Sequence, residues 1–179
     1  MNPERKARLA YRATTLFTRL PWPLLRGIAH ALAWVWIRGN ARESRVTWRN
    51  LELAYPGLDV AHRTRLHRQV LRSTALQTVE TLRLWSRPAE LNLRQHLTEC
   101  HGEALYDAAL AAGKGVIVAA PHFGNWELLN QWLASRGQIA IVYKPPEDPA
   151  GDAFLQIVRG GDTVQQVRAE GPAVRQLFK

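Results

Sequence analysis

Gly115-Val116-Ile117-Val118-Ala119-Ala120-Pro121-His122-Phe123-Gly124-Asn125-Trp126-Glu127-Leu128-Leu129 is the stretch whose reading decides the fold of this chain. Its first six residues are a continuous apolar run, which predicts a buried strand. Pro121 closes the run. A helical pattern then covers Asn125–Ser135, with Asn125 placed to cap it. An imidazole thus stands where a buried strand ends. A carboxylate follows five positions later, in a first helical turn where the dipole favours negative charge.

The same texture extends in both directions. Ile139–Tyr143 reads as a second buried strand, Thr163–Val167 as another, and Leu91–Leu97 as a further candidate. Glu103–Ala112 and Pro149–Val158 read as helices between them, and Gly171-Pro172 opens a helix running to the terminus. Apolar strands alternating with helices predict an α/β fold, with a mixed, mostly parallel sheet covered by helices. Upstream the pattern is purely helical. Segments 4–19, 24–37 and 41–53 are separated by Pro21, Pro23 and Gly39-Asn40, and Pro56-Gly57 ends the last. Asp59 is placed to cap a long helix reaching Trp85. The expected division is therefore a helical region, 1–57, and the start of an α/β domain, 58–179. The final pattern stops at Lys179 with a small sheet, so an incomplete C-terminus is expected.

The chain has 179 residues, enough for one domain with a real core, and a net charge of +9. Residues 1–50 hold ten Lys/Arg against only Glu4 and Glu43; residues 51–179 hold 14 bases against 13 acids. Trp22, Trp34, Trp36 and Trp48 lie in the basic part. Arg interleaved with Trp and long apolar stretches favours an anionic membrane surface over nucleic acid, the other partner that basic charge serves. Leu20–Ile37 is the nearest approach to a membrane span, but Arg26, His30 and two prolines interrupt it. It reads as an interfacial helix, with an amphipathic helix packed on the rest of the protein as the alternative. The first twenty residues lack the apolar core and small-residue cleavage site of a signal peptide. A single cysteine, Cys100, excludes an internal disulfide and fits a reducing compartment.

Chemistry converges on the opening stretch. In an open α/β sheet reactive groups gather at the carboxyl ends of strands, where His122 is placed. A hydroxyl attacks a thioester only if a base takes its proton as the bond forms, and imidazole is the natural base near neutral pH. A carboxylate on the other ring nitrogen orients it. His122 and Glu127 fit these two roles, so acyl transfer is the first expectation; an ordinary hydrogen-bonded histidine is the alternative. Gly124 removes a side chain beside the base. No HExxH pair, cysteine cluster, phosphate-binding glycine loop or GxSxG occurs, so neither metal nor cofactor is expected. His30, His62, His67, His96 and His101 share no ligand spacing.

Gly113–Glu127 resembles the first motif of the lipid A biosynthesis (lauroyl/myristoyl) acyltransferases, late acyltransferases of the glycerolipid acyltransferase superfamily. The superfamily motif is His, four residues, then Asp or Glu; Gly124-Asn125-Trp126-Glu127 is far narrower. Arg49-Asn50-Leu51-Glu52-Leu53-Ala54-Tyr55-Pro56 resembles the family's Asn-Leu…Phe-Pro element, with Tyr for Phe. Val142-Tyr143-Lys144-Pro145 resembles its Val-Tyr-Arg-Pro strand end, with a lysine that keeps charge and loses bidentate recognition. Arg159 stands near the second-block arginine. The family's later Pro-Asp-Gln-like block is absent. The resemblance implies a glycerolipid acyltransferase-like fold and an enzyme on the cytoplasmic face of the inner membrane. It would move a fatty acyl chain from acyl-carrier protein to a hydroxyl of a lipid A precursor, with His122 as base and Glu127 as its partner. Lys144 and Arg159 could hold phosphates of acceptor or donor, Gly124 and Asn125 would shape the substrate site, and the basic front end would meet the membrane. A different glycolipid or lyso-phospholipid acceptor, or a non-catalytic membrane- or nucleic-acid-binding piece, are the alternatives.

Overall fold

A computed structural model describes residues 1–171 and 175–178. The chain is mostly helical, with one small parallel sheet. In order, it forms α1 (Pro3–Phe17), α2 (Trp22–Arg38), α3 (Arg42–Ala54), α4 (Val60–Trp85), α5 (Ala89–His96), α6 (Glu103–Ala111), α7 (Trp126–Arg136), β1 (Ile139–Tyr143), α8 (Pro149–Arg159), β2 (Val164–Arg168) and a 3-10 turn at Arg175–Phe178. Two compact units emerge, one of residues 12–86 and one of residues 1–11 with 87–179.

The unit of residues 12–86 is a helical bundle in which α4 packs on α2 and α3. Small residues let α2 and α4 approach: Ala29 and Ala33 of α2 and Ala75 of α4 are buried, with Leu25 and Val79 filling the seam. Phe17, Leu20, Trp22, Trp36 and Leu76 close around it. Asp59 caps α4 as expected, accepting from His62 N–H at 2.8 Å. His67 is buried between α3 and α4. Its Nε2–H donates to the Ser44 carbonyl at 3.0 Å, and its ring meets Trp48 edge-on. The compact unit runs past residue 57 because α4 supplies one wall of the core.

In the other unit, β1 and β2 pair in parallel, from Ile139 opposite Val164 to Tyr143 opposite Arg168, with α8 as the crossover. α5 packs on α7, and the fully buried Asn92 donates to Gln131 Oε1 at 2.9 Å. α6 is tied to the end of α7 by Arg136, which pairs with Glu103 and Asp107 at 2.8 and 2.5 Å.

Three expectations are corrected here. Leu91–Leu97 is not a strand: the segment is helical through His96, with Asn92 buried and Leu91 and Leu93 partly buried on either side of it rather than alternating across a sheet. Gly115–Ala120 is not a strand either, and Ile117 is 99% exposed. Gly113 and Gly115 both adopt left-handed backbone (φ 70° and 75°), which breaks the extended entry. A strand also needs a neighbour for its N–H and C=O groups, and among the described residues β1 and β2 pair only with each other. The sheet therefore has two described strands rather than three or four. Pro172 lies outside the described residues, and the expected terminal helix is a short 3-10 turn where it is described.

Candidate functional site

Glu127 lies in the first turn of α7, only 2% exposed. A bare carboxylate at that depth is costly unless it is paired and hydrogen-bonded. Its partner is Arg159, at the last position of α8. Arg159 Nε–H donates to Oε1 at 3.0 Å and lies 3.3 Å from Oε2, and Nη2–H closes on Oε1. Asn130 Nδ2 donates to Oε2 at 3.4 Å from one turn further along α7. The Arg159 guanidinium also lies over Trp126, 4.8 Å from the ring centroid, a cation–π distance.

His122 touches the other side of this cluster. Its ring meets Trp126 edge-on at 5.2 Å and 69°. Phe123 N–H donates to the Pro121 carbonyl at 2.7 Å, which centres a tight three-residue turn on His122. The turn holds the imidazole outward, exposed, with Phe123 exposed beside it. Among the described residues no hydrogen bond or ion pair joins His122 to Glu127. The contact chain runs His122, Trp126, Arg159, Glu127.

The other expected site residues divide. Gly124 is left-handed (φ 62°), while a Cβ built there would meet no atom within 4 Å. The left-handed turn itself calls for glycine there. Asn125 occupies the cap position of α7, but its side chain makes no cap hydrogen bond. Lys144 is exposed, one residue past the end of β1. Arg159 was expected as a phosphate ligand; the structure spends its guanidinium on Glu127. Trp126 is the ring that connects the imidazole to the guanidinium. Among the described residues no group of three His, Cys, Asp or Glu could hold a metal ion.

A second polar cluster lies at the carboxyl ends of β1 and β2. Tyr143 Oη donates to Asp152 Oδ1 at 2.7 Å and accepts from Gln156 Nε2 at 2.7 Å. Arg168 Nη2 donates to Asp152 Oδ2 at 2.5 Å. Tyr143 and then Asp152 hold the Arg168 guanidinium above its usual range. Sequence reasoning missed this cluster; its signal was the spacing of Asp152, Gln156 and Arg159 along one helix face.

The sequence model of one family, described as Bacterial lipid A biosynthesis acyltransferase, matches residues 7–177. The chain belongs to that family. Among curated proteins, it is 25% identical over 135 residues to a lipid A biosynthesis acyltransferase of Haemophilus influenzae, covering 74% of this chain and 42% of that protein. It is 25% identical over 137 residues to the lipid A biosynthesis lauroyltransferase of Escherichia coli, covering 76% and 44%. A shorter match, 57% over 30 residues, links it to a phosphatidylinositol mannoside acyltransferase of Mycobacterium tuberculosis, 17% of this chain and 10% of that one. The chain thus spans less than half the length of the lipid A acyltransferases it matches.

Proposed function

We propose that the protein to which these residues belong is an O-acyltransferase of lipid A biosynthesis with a glycerolipid acyltransferase-like α/β fold. The observation that carries this reading is the cluster at the start of α7: a buried Glu127 held by Arg159, with His122 one ring away, in a chain of the lipid A acyltransferase family. His122 removes the proton of an acceptor hydroxyl as its oxygen attacks the carbonyl carbon of an acyl thioester on acyl-carrier protein. The tetrahedral intermediate then expels the thiolate, which leaves with the proton held by the imidazolium. The acyl group never attaches to the protein. A carboxylate presents about four lone-pair directions and Glu127 already accepts four bonds, so an imidazole N–H would take the place of a long one, from Asn130 at 3.4 Å or from Arg159 Nε at 3.3 Å. Reaching it requires the turn at His122 to close past Trp126.

The acceptor is a lipid A precursor hydroxyl, and Lys144, exposed past β1, suits an anionic group of acceptor or donor. The reaction runs at the cytoplasmic face of the inner membrane, a reading that the surplus of Arg and the Trp residues of the helical unit support. Among the described residues no helix is long and apolar enough to cross a membrane. The short, dense match to a phosphatidylinositol mannoside acyltransferase favours a second reading with the same chemistry on another glycolipid's sugar hydroxyl.

The test is acyl transfer from acyl-carrier protein to a lipid A precursor by the protein expressed at its genomic length, read by mass spectrometry. His122→Ala is expected to lower the rate by about 10²–10⁴, the usual contribution of a general base, with unchanged circular dichroism. Near-normal activity in that variant would sink the assignment of the base. Lipids of a deletion strain lacking an acylated mannolipid, with lipid A intact, would favour the second acceptor.

A further inference from the structure

The two polar clusters of this unit share one face of α8. Asp152, Gln156 and Arg159 stand four and three residues apart, so their side chains line a single stripe of the helix. At one end of the stripe, the Tyr143 hydroxyl binds both Asp152 and Gln156 at 2.7 Å. At the other end, about 10 Å along the axis at ~1.5 Å per residue, Arg159 meets Glu127. Tyr143 is itself fixed at both ends. Its main-chain carbonyl accepts from Ala169 N–H at 2.8 Å, and its ring is buried in the sheet it terminates.

We propose that Tyr143 is a positioning residue: through Asp152 and Gln156 its hydroxyl sets the rotation of α8 from which Arg159 reaches Glu127. An arginine side chain loses much rotamer freedom when immobilised, so its grip on a buried carboxylate depends on the helix delivering it at the right angle. One hydroxyl is used in both senses, donating to Asp152 and accepting from Gln156. Its two bonds hold α8 at two points one turn apart, whereas a single bond would leave the helix free to pivot about it. The helix between the clusters is continuous, so an angle fixed at Asp152 and Gln156 is carried to Arg159. The functional consequence rests on the assignment of Glu127 and Arg159 to the reaction site; the structural link does not.

The test compares Tyr143→Phe with Arg168→Gln. The first removes the hydroxyl and keeps the ring; the second removes the guanidinium that both the hydroxyl and Asp152 hold and leaves in place the hydroxyl's own bonds to Asp152 and Gln156. The readout is the Arg159 Nε–H resonance of the ¹⁵N-labelled chain, assigned by its loss in Arg159→Lys. Its exchange with solvent is expected to quicken about tenfold in Tyr143→Phe, the size of one lost hydrogen bond, and to keep its rate in Arg168→Gln although both variants lower Tm. Equal rates in wild type and Tyr143→Phe, or equal quickening in both variants, would overturn the proposal. In the acyl-transfer assay, Tyr143→Phe is expected to lower kcat with little change in KM. A quickened Nε–H with unchanged kcat would mean that the geometric link stands and the site assignment fails. An unchanged Nε–H while His122→Ala abolishes activity would mean the reverse.

Discussion

Glu127 and Arg159 form a nearly dry ion pair, and the two residues are not equivalent within it. Removing the guanidinium by Arg159→Met strands a carboxylate that is 2% exposed; an uncompensated buried charge of this kind costs about 3–5 kcal/mol. Glu127→Gln leaves a cation that still lies over Trp126, and the amide oxygen can still accept from it. It is therefore expected to cost less, and the double variant to recover part of the Arg159→Met loss. Urea unfolding of the three variants checks the order; a costlier Glu127→Gln would contradict it. At this scale the motif was legible and its wiring was not. The spacing from His122 to Glu127, and the place of Glu127 in a first helical turn, are local properties of the sequence. The partner of Glu127 lies 32 residues away, and only the placement of α8 brings it there. The expected His122–Glu127 pairing assumed a strand to deliver the imidazole, whereas a tight turn holds His122 against Trp126 instead.

Elements form here where local preference and tertiary partners agree. Helix α4 is the strongest case: its cap Asp59, its apolar spacing and its end near Pro88 were all readable, and α2 and α3 cover its apolar side. Two of its flanking and internal carboxyls carry opposite pH signatures. The His62 backbone N–H, then its side chain, hold Asp59 below its ordinary value. Asp59 therefore stabilises the folded chain above that range, and the contribution is lost as pH falls below about 4. Burial raises Glu80 above its ordinary value. Its contribution is present at acid pH and lost as pH rises beyond about 4.5. Glu80→Gln is thus expected to raise Tm at pH 7 and to leave it unchanged near pH 4, whereas Asp59→Asn should flatten the acid side and keep the cap. Thermal melts at several pH values decide both; a Glu80→Gln gain confined to acid pH would reverse the assignment. Strands were less legible than helices because a strand is completed by its neighbour. Ile139–Tyr143 carries the same kind of apolar run as Gly115–Ala120, but only the first finds a parallel partner among the described residues. Leu91–Leu97 was misread because Leu91 and Leu93 alternate as in a strand, whereas the residue the helix buries is Asn92 between them, where α5 packs on α7.

Taken as a whole, the molecule concentrates its charge in one compact unit. Residues 12–86 hold twelve Arg against Glu43, Glu52, Asp59 and Glu80, a surplus of eight out of the chain's +9. The acids are partly spent: Glu52 binds Trp48 and Arg49, and Asp59 caps α4. The sequence left two readings of Leu20–Ile37 open, an interfacial helix or one packed on the protein, and α2 has a face for each. Leu25, Ala29 and Ala33 are buried against the bundle, while Leu24, Trp34 and Val35 are exposed, Trp34 to 60%. Arg38 lies over Trp34, 5.9 Å from its ring centroid, and Arg26 is exposed on the same helix. Apolar side chains ringed by cations match the interface of an anionic bilayer, where each basic residue near the surface contributes about 1 kcal/mol and indoles sit at headgroup depth. The chain is therefore expected to sediment with vesicles of phosphatidylglycerol and phosphatidylethanolamine and less with phosphatidylcholine alone. Trp34→Glu should weaken that binding even at high salt, whereas Arg26→Glu should weaken it mainly at low salt and make its salt dependence shallower. Retention of DNA in a shift assay without vesicle binding would instead assign the basic unit to nucleic acid. Binding abolished by salt yet indifferent to Trp34→Glu would mean that charge alone holds the chain at the surface and the outer face of α2 takes no part.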